Sequence, residues 1–135
     1  MRILAVVMVI LGSGASTLAR AQTMDCDNAL TQMQMNACAV ADFNQADVDL
    51  NAAYARARSA MQLLDQKMDG DAEEAELALR NAQRAWITFR DRACLAEGFL
   101  MRGGSAEPLL VFGCKARLTE QRAQDLWTLA AGIEG

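Results

Sequence analysis

Proline occurs once in the 135 residues, at Pro108, and between Ala15 and Glu97 glycine occurs only at Gly70. A chain with so few breakers can run long helices and has to turn where the breakers stand. From Phe43 the core-type positions step by four and three through Asp47, Leu50, Tyr54, Ala57, Met61, Leu64 and Met68. From Ala75 the same steps run through Leu79, Ala82, Trp86, Phe89, Ala93 and Ala96. Two such stripes on either side of Asp69-Gly70-Asp71 predict an antiparallel helical hairpin with a left-handed, bundle-type seam.

Start signals complete the outline. Asp71 stands where it can cap the helix after the turn, with Glu74 at capping-box spacing. Glu107-Pro108 suits a first turn, so a last helix should run from there through Cys114, Leu118, Arg122, Leu126 and Leu129, joined to its predecessor by the link Gly98 to Ala106. A short helix over about Asp27 to Gln34 should precede Asn36, which can cap the second helix. No stretch alternates with a strand period. The expected fold is all-α: a small antiparallel helical bundle with a short N-terminal helix and three longer ones.

The N-terminus reads differently. Arg2 precedes an unbroken apolar run, Ile3 to Leu11, too short to cross a bilayer as a helix but the right length for a signal h-region. Ala19-Arg20-Ala21 offers small residues where signal peptidase requires them, so residues 1–21 are expected to be cleaved and residues 22–135 to form one soluble domain, periplasmic or secreted. Cys26 follows Asp25, not the small residue that precedes a lipidated cysteine, so no membrane anchor is expected. Cleavage would remove Arg2 and Arg20 from 13 basic residues and none of the 17 acids, leaving 11 − 17 = −6. That balance disfavours nucleic acid and anionic membranes as partners and favours cationic ones.

All four cysteines lie after the expected cleavage point, and an even count in an oxidising compartment reads as two disulfides. Folding the last two helices about Gly104 brings Cys94 opposite Cys114, with Arg122 over Trp86 and Leu126 over Ala82. Folding the first hairpin about Gly70 sets Tyr54 against Trp86, Met61 against Leu79, and Asp47 within a turn of Arg90. The first of these registers leaves Cys26 to pair with Cys38. In one continuous helix those two would stand about 18 Å apart, beyond disulfide reach, so the chain must break between them.

The chain has no histidine, which removes the usual general base and the commonest transition-metal ligand. Paired cysteines supply no thiolate, and the carboxylates are scattered, so no catalytic residue and no cofactor is nominated and the chain reads as a non-enzyme. Asp65, Asp69, Gly70, Glu73 and Glu76 fit positions of a calcium loop, but Lys67 occupies a position that needs an oxygen ligand, so no metal is expected. Met33-Gln34-Met35 is read as core packing in preference to a thioether copper site. Asp47, an acid on an apolar stripe, calls for a cation inside the bundle, either Arg90 or Arg122. Trp86 is expected in the core.

Taken together, Cys26, Met35-Asn36-Ala37-Cys38, Ala46-Asp47, Leu50-Asn51, Tyr54, Gln83-Arg84-Ala85-Trp86-Ile87, Phe89-Arg90-Asp91, Cys94, Gly103-Gly104-Ser105, Cys114, Thr119 and Arg122 resemble the LprI-like family of exported domains, named for a lysozyme inhibitor. The resemblance spans nearly the whole of residues 22–135. It implies a small helical bundle that binds a protein partner such as a lysozyme. The alternative is an envelope interaction or scaffold module without inhibitory activity. For an inhibitor, the expected contact element is the link Leu100, Met101, Arg102, Gly103, Gly104 and Ser105. A projecting loop suits a cleft holding two carboxylates better than a convex helix face does. Arg102 would meet a carboxylate, the Gly103 and Gly104 N–H groups and Ser105 would hydrogen-bond, and Leu100 and Met101 would supply apolar contact.

Overall fold

The computed structural model describes residues 25–68 and 74–134. Over these residues the chain forms three α-helices, α1 (Gln32–Lys67), α2 (Ala75–Gly98) and α3 (Glu107–Glu134), with a 3-10 turn at Phe99–Met101 and no strand. The helices run up, down and up, so α1 and α3 are parallel. Asn36 near the start of α1 reaches Ser105 just before α3, and a few residues on Phe43 lies 6.0 Å from Phe112, ring to ring. The signal segment, the Gly70 turn and the Asp71 cap lie outside the described residues.

The expected short first helix is absent. Residues 25–31 form turns, and α1 starts at Gln32 behind a capping box in which the Thr31 hydroxyl accepts from the Gln34 N–H at 3.2 Å while the Gln34 side-chain oxygen accepts from the Thr31 N–H at 2.9 Å. Asn36 is therefore inside a helix and caps nothing. The break that the Cys26–Cys38 pairing demands falls before Thr31, and the two Cα atoms stand 5.7 Å apart.

Most of the packing lies between α1 and α3. Beyond Cys38, Ala39 and Cys114 near the disulfides, the buried residues are Ala46, Leu50, Ala53, Ala57 and Ala60 on α1 and Ala116, Thr119, Ala123, Leu126 and Ala130 on α3, with steps of three and four on both helices. Alanines along such a stripe let two helix axes approach closely, and Leu79 of α2 with Tyr54, Met61, Trp86, Leu129 and Ile133 closes the cluster. The α1 stripe thus runs along one flank of the expected one, with Asp47 at its edge and not at its centre.

The phase of α2 departs further from expectation. Its buried residues are Glu76, Leu79, Gln83, Arg90, Cys94 and Gly98, whereas Ala82, Phe89 and Ala96 of the expected stripe face solvent. Apolar residues lie on both sides of this helix, so counting them does not settle which side turns inward. The polar partners described below do. The start of α2 is capped from α1, because the Asp65 carboxylate accepts from the N–H groups of Ala75 and Glu76 at 2.6 and 3.1 Å. Glu74 is the N-cap position itself and makes no side-chain cap bond, so its expected capping-box role is not realised.

Candidate functional site

Both disulfides and both ends of the α2–α3 link gather at one end of the bundle. Gly98 closes α2 against α3 so tightly that a Cβ there would run into the Val111 side chain. The chain then makes the 3-10 turn Phe99–Met101, which presents three consecutive apolar side chains to solvent, with Leu100 78% exposed. Leu30 and Met33 are also exposed at this end, so Met33 is not the core filler expected of it. The base of the link is held by Cys94–Cys114, whose Cα atoms are 5.4 Å apart and which is buried, and by the Arg117–Glu97 ion pair at 3.0 Å.

Past the turn, Gly103 takes φ +77°, a conformation that favours glycine. That kink brings its N–H to 2.8 Å from one Glu107 carboxylate oxygen while the Arg102 guanidinium binds the other at 2.9 Å and lies over the Phe99 ring at 4.7 Å. The Gly104 N–H donates to the Met101 carbonyl, and the Asn36 amide of α1 donates to the Ser105 carbonyl, both at 2.9 Å. The Gly103 N–H, with Arg102 beside it, holds the Glu107 carboxyl below its ordinary pKa. The expected donors are therefore already engaged within the link: Arg102 is paired, and neither Gly103 nor Gly104 offers a free N–H. What the link presents outward is the apolar turn. Phe99 and Glu107 were not nominated from sequence, and no periodic signal joins an arginine to a glutamate five positions on.

A second cluster lies deeper. Arg90 is 7% exposed and threads between the Phe43 and Trp86 rings, 5.0 and 5.2 Å from their centres. It bonds Asp91 at 3.0 Å and the Thr119 hydroxyl at 3.4 Å, and stands 3.6 Å from Asp47. Asp47 itself is 44% exposed on its side chain, so the cation and not the acid is the buried member. Arg122 bonds Gln83 at 3.0 Å and takes no part with Asp47. Lys115 reaches Asp91 at 3.3 Å from between the Phe43 and Phe112 rings. Partial burial pushes the Asp91 carboxyl upward, and the bond and charge of Arg90 together with Lys115 outweigh it, leaving the group below its ordinary pKa. Every polar group here has a partner inside the protein, which suits a bolt between helices better than a ligand site. Among the described residues no three acids or cysteines gather as metal ligands, and Asp65 of the calcium-loop pattern is spent on capping α2.

Residues 25–126 match the family model described as lysozyme inhibitor LprI. An uncharacterized protein, R02472, of Rhizobium meliloti (strain 1021) is 45% identical over 114 residues, covering 82% of this chain and 81% of that protein. A crystal structure of a DUF1311 family protein from Pseudomonas putida KT2440 superposes with a TM-score of 0.64 at 26% identity, over 77% of this chain and 98% of the other.

Proposed function

The chain belongs to the LprI family, and from that premise we propose that it is an exported binding protein that inhibits a cationic cell-wall hydrolase of the lysozyme type through the link Leu100–Ser105 and the turn before it. The observation that carries this reading is the preformed apolar turn Phe99–Met101. It is anchored below by Cys94–Cys114 and fixed laterally by Glu107, so little ordering is left for binding to impose. Paired with Glu107, Arg102 acts first as a brace, and Leu100 and Met101 become the principal contacts. Net negative charge speeds encounter with a cationic enzyme. Formation of both disulfides supports an oxidising compartment, periplasmic or secreted, with residues 1–21 removed and residues 22–135 as the working domain.

The test is inhibition of lysozyme-driven lysis of cell-wall suspensions by the oxidised protein starting at Gln22. Leu100→Ala with Met101→Ala should weaken inhibition at least about tenfold while leaving the melting temperature in place, since both side chains are exposed. Unchanged inhibition in that variant would move the contact elsewhere. No inhibition by the parent protein of any lysozyme tried would favour an envelope interaction module instead.

A further inference from the structure

The outward face of α2 differs from the rest of the surface. Ala78, Arg84, Ala85, Phe89, Arg92 and Ala96 are all exposed there, and this face carries no acid. The helix does contain acids, and each is engaged elsewhere: Glu76 is buried against Arg58, Asp91 is held by Arg90 and Lys115, and Glu97 is paired with Arg117. Arg84 and Arg92 have no side-chain partner among the described residues. Phe89 is 60% exposed between them in the sequence, and Leu95 extends the apolar surface along the helix. In a chain of net charge −4, unpaired arginines beside an exposed phenylalanine form a local exception to the overall field.

We propose that the outer face of α2 is a second docking surface, whose occupant is an acidic amphipathic helix of another protein. Charge complementarity selects the sign, because Arg84 and Arg92 stand two turns apart and the carboxylate between them in the sequence, Asp91, is already held by Arg90 and Lys115. Ala85 and Ala96, one and two turns from Phe89 on the same side of the helix, have small side chains that leave the ring open to the apolar ridge of a docking helix. A second copy of this chain docked α2 to α2 would oppose arginine to arginine. A cationic hydrolase would be repelled from this face. An anionic membrane would meet only these few cations while the net negative charge of the remaining surface pushes it away. The surface is therefore separate from the inhibitory link, and the two can be broken independently.

Nuclear magnetic resonance titration of the oxidised protein with a synthetic amphipathic helical peptide, a leucine ridge flanked by glutamates, tests the assignment. Amide shifts should concentrate between Ala78 and Ala96, weaken with added salt, and be absent for the matching peptide with lysines in place of glutamates. Arg84→Glu with Arg92→Glu should lower the affinity at least about tenfold without changing helical content or lysozyme inhibition. Phe89→Ala should weaken binding in an otherwise intact protein. Shifts confined to another face, equal response to both peptides, or tighter association of the parent protein with phosphatidylglycerol vesicles than with the acidic peptide would overturn the proposal.

Discussion

Between α1 and α3 the buried residues are almost all alanine and leucine, whereas α2 turns Glu76, Gln83 and Arg90 inward beside Leu79 and Cys94. The first contact rests on close approach and dispersion, and repeats every seven residues through Ala46, Ala53 and Ala60 against Ala116, Ala123 and Ala130. A seam that repeats itself fits almost as well after a slip of one heptad. The polar contacts do not repeat: Arg58 with Glu76, Asp47 with Arg90, Arg90 with Thr119 and Gln83 with Arg122 each join two named helices at one setting. Dispersion supplies most of the attraction, and the polar bridges select the register.

This contrast can be tested from its strongest side down. Leu126 is fully buried in the seam, so Leu126→Ala should cost about 2–5 kcal/mol in urea unfolding, the usual range for a core cavity. Next, Arg90→Ala should cost about 2–3 kcal/mol. Most of that comes from the packing and cation–π attraction of the guanidinium between Phe43 and Trp86, because the carboxylates left behind remain hydrated. If register selection is the role of this face, Arg90→Met with Gln83→Leu should retain helical content yet broaden the amide spectrum. A sharp, well-dispersed spectrum would remove that role.

Smaller effects are expected where the partner is exposed. Asp47→Ala should cost under about 1 kcal/mol, given its exposed side chain and its 3.6 Å distance from Arg90. A fully buried acid at this position, as its place on the apolar stripe implies, would lose more.

Smallest of all is the acid dependence of Asp91. Its folded pKa is lowered, so its contribution is fully present above the unfolded value of about 3.9 and is lost as pH falls through the folded one. Carboxyl titration should show Asp91 below that value, and Lys115→Ala should bring it back toward it.

Access to solvent separates the two disulfides in another way. The loops closed by the two bridges differ little in length, with sequence separations of 12 and 20, so each should contribute about 3 kcal/mol through the unfolded chain. Cys26 is exposed, whereas Cys94 and Cys114 are both buried. Mild reductant followed by alkylation should therefore label Cys26 and Cys38 first, and labelling of Cys94 before Cys26 would contradict the burial.

Several features follow from local chemistry and are legible without coordinates: the all-helical class from sparse breakers, the separation of α1 from α2, the turn at Gly103-Gly104 before α3, and both cysteine pairings. Thr31 and Gln34 also stand at capping-box spacing, a signal the sequence carries, although residue type alone also suggested Asn36. Other features depend on groups far apart in the chain. The spacing calls for a cation inside the bundle beside Asp47, and Arg90 is that cation, but that Asp65 caps α2, that Phe89 is exposed, and that Arg102 is held by Glu107 cannot be read from spacing. Periodicity identifies a helix and its possible faces, but which face turns inward depends on the partners that other helices bring to it. Here those partners are a carboxylate, a hydroxyl and two aromatic rings, and only the folded chain assembles them around one guanidinium.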